Sequence, residues 1–225
     1  MINWFLRAKH WQLFVLTFGV MIVAYITMMY SVFSAVTSSA AERRQPDPLI
    51  MFRYMKFLLF LGVFVMSVTT GWYWSVGTGL REKLPSGVTM KTTLFKAFLI
   101  FPLIYTTVFI FLMSMLLKQV FEATAGNGSP DTIALSMMSF FPIILPFHFF
   151  SVFCFFYNMY FVAKTIKAVE LQRSVTFSDF IGEFFLVWFY PIGVWILQPK
   201  INRLHENVGK YGATDSTLLD DTIRN

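Results

Sequence analysis

From Leu13 to about Ala35 no residue carries a charge. About 20 apolar residues are enough to cross the hydrocarbon core of a bilayer. This run exceeds the ~7–15 residues of a signal-peptide core, so it is read as a retained first span, although Ser38-Ser39-Ala40-Ala41 imitates a cleavage site. Three further apolar blocks follow, at about 54–78, 95–117 and 133–163. The last is longer than one crossing needs. Pro142 and Pro146 are expected to break or kink its outer part, leaving about 145–163 as the fourth span. A chain that repeats such blocks predicts an all-α polytopic helical membrane protein.

Composition supports the same class. Charged residues are 13% of the chain and hydrophobic residues 56%, against about 25% charged in a soluble domain. The charges collect in the connectors 38–49, 80–92 and 118–132, which also carry the turn formers Pro46, Pro48, Pro85, Gly87 and Gly126-Asn127-Gly128. The net charge of +6 fits helix ends that meet anionic head groups. Nucleic-acid binding is not expected, because no soluble basic domain exists to hold it. A single cysteine, Cys154, excludes an internal disulfide.

Orientation is read from Lys and Arg. With the N-terminus in the cytoplasm, nine fall inside (Arg7, Lys9, Arg81, Lys83, Lys91, Lys96, Lys164, Lys167, Arg173) and five outside (Arg43, Arg44, Arg53, Lys56, Lys118). The first residues, MINWFLRAKHW, suit an interfacial segment. The C-terminal apolar stretch 180–198 is interrupted by Pro191-Ile192-Gly193 and has basic residues on both sides. It reads as a Pro-broken re-entrant or interfacial segment, with a fifth span as the alternative. One membrane domain is expected over 1–207, and a polar, disordered tail over 208–225.

A weak internal echo links 75–102 to 160–191. Val88-Thr89 matches Val175-Thr176, and the Phe-rich runs that follow reach Pro102 and Pro191. Duplication of a helix pair would account for it.

Ser67, Gly71, Ser75 and Gly79 recur every fourth residue and so share one helix face. In lipid no hydrophobic force pulls helices together, and small side chains let backbones approach. The row predicts a helix-packing seam, filled from within this chain or by a partner, with Trp72 to Trp74 in an aromatic belt above Arg81.

Polar groups inside the apolar blocks are costly and therefore informative. The candidates for an intramembrane polar site are Glu183 with Lys164 and Lys167, and His148 and Asn158. A local ion pair is the simpler reading of Glu183, and a coupling-ion or proton site the sharper one. His148, beside two prolines, is expected to bond a freed backbone carbonyl, and Asn158 to bond another helix. No metal-binding spacing, phosphate-cradling glycine loop or nucleophile motif occurs, so no metal, cofactor or catalytic residue is expected, and the chain reads as a non-enzyme.

The segment FCFFYNMYFVAKTIKAVELQRSVTFSDFIGEFFLVWFYPIGVWILQPKIN (153–202) resembles a group of small bacterial polytopic membrane proteins with no assigned function. The likeness is firm over about a fifth of the chain. It implies a bacterial inner membrane, and it implies that FVAKTIKAVELQ and WFYPIGVWILQPKIN act together. It supplies no substrate. The expected function is an accessory or structural subunit of a membrane complex, with membrane lipids and a membrane-protein partner or a second copy around it. The alternative is a small transporter or channel for a lipid or apolar solute.

Overall fold

The computed structural model describes residues 2–43, 48–85, 87–124 and 130–223. Every regular element among them is helical: α1 (Ile2–Arg7), α2 (His10–Phe14), a π-helical turn (Val15–Gly19), α3 (Val20–Ala41), α4 (Pro48–Gly79), a 3-10 turn (Arg81–Lys83), α5 (Thr92–Thr124), α6 (Pro130–Leu171), α7 (Phe177–Trp188) and α8 (Tyr190–Ile223). Among the described residues, four stretches are long and apolar enough to cross a membrane: His10–Ala41, Lys56–Lys83, Thr92–Val120 and Phe141–Leu171. The chain is an all-α, multi-pass membrane protein. Three of the stretches contain an expected span and extend it at both ends; the second starts two residues later than the expected 54–78 and runs five further.

Prolines decide where the helices stop, but not always as expected. α6 runs as one helix through Pro142 and Pro146. In α5, Pro102 also lies inside a continuous helix. A proline at position i leaves the carbonyl of residue i−4 without its helical donor. For Pro102 that carbonyl belongs to Phe98, and the Asn158 amide donates to it at 2.8 Å. At Pro191 the chain breaks instead, with Phe189 between α7 and α8 at φ −86°, ψ 55°. α7 has 12 residues, about 18 Å of helix, well short of the ~30 Å hydrocarbon core. The apolar part of α8 ends at Gln198 and Lys200. The 180–198 stretch is therefore divided into pieces too short to cross as a fifth continuous span.

The chain divides into two compact units, Met1–Val15 with Thr69–Leu99 and Phe155–Asn225, and Leu16–Val68 with Ile100–Cys154. In the first, α8 packs on α1, α2 and α7. Within MINWFLRAKHW, expected at an interface, Phe5, Leu6 and Ala8 are buried in this core, with Leu13 just beyond it, while Trp4 and Trp11 stay exposed. Trp72, expected in an aromatic belt, is also fully buried. Its indole N–H finds an acceptor inside the protein, so the ring need not reach the interface. α7 buries Phe180, Glu183 and Val187 on one face and exposes Phe177, Ile181, Phe185 and Trp188 on the other. A helix with an uncovered aromatic face suits a segment that lies in lipid.

Gln172, just past α6, takes a left-handed conformation (φ 49°), and its amide donates to the carbonyls of Val169 and Lys83. α8 is described as helix to Ile223. No proline follows Pro199 to stop a helix that the packed residues 190–206 have already nucleated.

Candidate functional site

Two polar clusters of the first unit are centred on α8. In one, α6 supplies Lys167 and Glu170, α7 supplies Glu183, and α8 supplies Lys200. Glu183 accepts from Lys200 at 2.8 Å and from Lys167 at 3.2 Å. Glu170 accepts from Lys200 at 2.6 Å and pairs with Lys167 at 2.9 Å. Two cations and two carboxylates close a ring with no net charge. Burial pushes the Glu183 carboxyl up, but hydrogen bonds, chiefly from Lys200 and also from Lys167, outweigh it and hold it below the usual carboxylate range. The group is a pinned carboxylate, tied to three helices.

In the other cluster Gln198 is fully buried. Its Oε1 accepts from the Trp72 indole at 2.8 Å. Its amide shares two N–H donors among the carbonyls of Phe5 (2.8 Å) and Ala8 (3.1 Å) and the Asn202 Oδ1 (2.9 Å). Asn202 in turn donates to the Ala8 carbonyl at 3.1 Å. The Lys83 ammonium donates to the carbonyls of Leu204 (3.1 Å) and His205. Burial, then the nearby Lys83 and Arg7, lower the pKa of His205.

α7 starts from a capping box. The Thr176 hydroxyl and N–H both donate to Asp179, which also pairs with Arg173 at 2.9 Å. The Arg173 hydrogen bond first, then the two from Thr176, draw the Asp179 carboxyl down to about 2.

The five expected polar-site residues do not form one site. Glu183 and Lys167 meet. Lys164 turns away, its ammonium 5.6 Å from the Tyr160 ring centre. Asn158 bonds another helix, as expected, and takes the carbonyl-capping role that the sequence assigned to His148. His148 lies 3.3 Å from the Tyr105 hydroxyl instead. Beside these two residues are apolar grooves between α5 and α6 of about 340 and 310 Å³. No cluster of metal-ligating side chains occurs among the described residues.

The small-residue row is only partly a seam within this chain. A Cβ at Gly71 would lie 2.9 Å from the Phe5 ring, and Ser75 is buried with its hydroxyl on the Gly71 carbonyl. Gly79 is half-buried and Ser67 is exposed. The tighter contact lies off the row: a Cβ at Gly77 would come within 2.6 Å of the buried Phe95 ring, which stacks on Phe161 at 4.1 Å. Sequence reading missed Gly77, Gln198 and the Glu170–Lys200 half of the ion ring. A lone amide among Trp195, Ile196 and Leu197 was the available signal for Gln198.

No family model matches the chain, no curated protein matches it, and no solved structure matches it.

Proposed function

We propose that the chain is a non-enzymatic protein of the bacterial inner membrane, with its N-terminus in the cytoplasm, acting as an accessory or structural subunit of a membrane complex. The observation that carries this reading is the use made of the polar residues. Glu183 is neutralised by two lysines, Asn158 occupies a carbonyl beside a proline, and Gln198 is consumed by Trp72 and the N-terminal backbone. Groups that could bind a coupling ion are spent on holding helices together. The exposed Ser67 of the small-residue row leaves part of that face for a partner helix.

Gly71→Leu would collide with Phe5 and damage the fold itself, so Ser67→Leu is the cleaner test. The tagged chain is purified in mild detergent and the co-eluting proteins are weighed. A stoichiometric partner, lost in Ser67→Leu while the variant stays monodisperse, is expected. A chain that elutes alone or only with copies of itself overturns the reading.

The apolar grooves between α5 and α6 favour a second reading, a carrier for a lipid or apolar solute. Under it, Glu183→Gln abolishes uptake without affecting assembly.

A further inference from the structure

A third polar cluster lies away from the two centred on α8. Where α4 ends and α5 begins, Thr78, Arg81, Glu82, Thr92 and Lys96 line a cavity of about 270 Å³. Two of its walls are cationic. Neither Arg81 nor Lys96 forms an ion pair with a described residue, whereas Lys167, Arg173 and Lys200 all do. The Lys96 ammonium sits 5.1 Å from the Trp74 ring centre, which fixes the charge over an aromatic face without neutralising it. The Thr78 hydroxyl donates to the Trp74 carbonyl at 2.6 Å. Thr92 opens α5, so the first-turn N–H groups add positive potential at the same rim.

The lining residues come from the ends of two candidate spans, Lys56–Lys83 and Thr92–Val120. The ends of a membrane span meet the head-group region of a bilayer. With Glu82 counted, the cavity carries one net positive charge, which a single phosphodiester balances.

We propose that this cavity binds the phosphate of an anionic phospholipid headgroup, with Arg81 and Lys96 as its cationic ligands and the Thr92 hydroxyl as a further donor. Guanidinium and ammonium donors to phosphate are the strong, charge-assisted kind. Glu82 opposes the anion and limits affinity.

The full chain in mild detergent is mixed with phosphatidylglycerol, phosphatidylcholine, phosphatidylethanolamine or inorganic phosphate. Retained ligand is counted by native mass spectrometry. Phosphatidylglycerol is expected to be retained over phosphatidylcholine. The loss in Arg81→Gln/Lys96→Gln should be about tenfold, with a gain in Glu82→Gln and no change in Lys118→Gln, which removes a cation elsewhere. If the double variant does not stay monodisperse, Arg81→Gln alone, at an exposed position, should still lose several-fold. Equal retention by the Arg81 and Lys118 variants overturns the site. Binding of inorganic phosphate without the lipid shows a soluble ligand and overturns the lipid assignment. Preference for phosphatidylethanolamine that Glu82→Gln removes means that Glu82 reads an ammonium, and overturns the anionic one.

Discussion

Glu183 illustrates how one residue type can be read two ways. As a carboxylate in an apolar run it invites a proton-coupling role. Between Lys167 and Lys200 it becomes a structural clasp. Removing one partner of such a buried pair leaves charge uncompensated, so Glu183→Gln should destabilise the chain by about 2 kcal/mol at pH 7. The pH dependence has a definite sign. The carboxyl is depressed below its ordinary value of 4.5, so its contribution is present above that value and fades as pH falls through the folded-state pKa. Thermal unfolding in detergent should show a gap between parent and variant at pH 7 that narrows below 4.5. Asp179 titrates in both proteins and cancels in the difference. A gap that stays constant down to pH 3 would show that the pair is not the source. Lys167 was legible beside Glu183 as a basic residue near the end of the fourth span. Lys200 was not recognisable as its partner, because only the turn at Phe189 folds α8 back to deliver it.

That turn is an element-scale feature. Gly193 follows Pro191 in α8, and a Cβ there would lie 1.7 Å from the Leu186 carbonyl oxygen. A backbone atom cannot rotate aside as a side chain can. Gly182, in the middle of α7, has nothing within 4 Å of the same built atom. The two glycines therefore predict opposite results from one substitution. Gly193→Ala should cost about 3 kcal/mol or more, while Gly182→Ala should be neutral or stabilise by up to about 1 kcal/mol through helix propensity. Melting temperatures of the two variants check this, and similar values for both would refute the close approach. The sequence marked the break through Pro191-Ile192-Gly193. It did not distinguish this proline from Pro102, Pro142 and Pro146, which their helices accommodate. Part of the difference is a remote side chain: Asn158 caps the carbonyl that Pro102 frees, and nothing local to Pro102 announces it.

For the whole molecule, membrane class and span number were legible because they follow from the length and charge of apolar blocks, which need no partner to be recognised. Packing between distant segments was not, since the N-terminal residues read as interfacial when taken alone. Four crossings return the chain to the side on which it began. Introduced into a Cys154→Ser background, Ser38→Cys near the end of the first crossing should react with an impermeant maleimide in intact cells. Ser174→Cys, between α6 and α7, should react only after the membrane is opened. Labelling of both from outside would refute the four-crossing topology and its orientation.

Gln198 grips the carbonyls of Phe5 and Ala8, so α1 and α2 are not seated until α8, made long after them, has folded. During synthesis the opening helices must stay unlatched while every crossing is inserted. A chain released early, after α6, would keep all its crossings and lose its clasp. The amide thereby makes the order of synthesis an order of assembly: α8 is the part that closes α1 and α2.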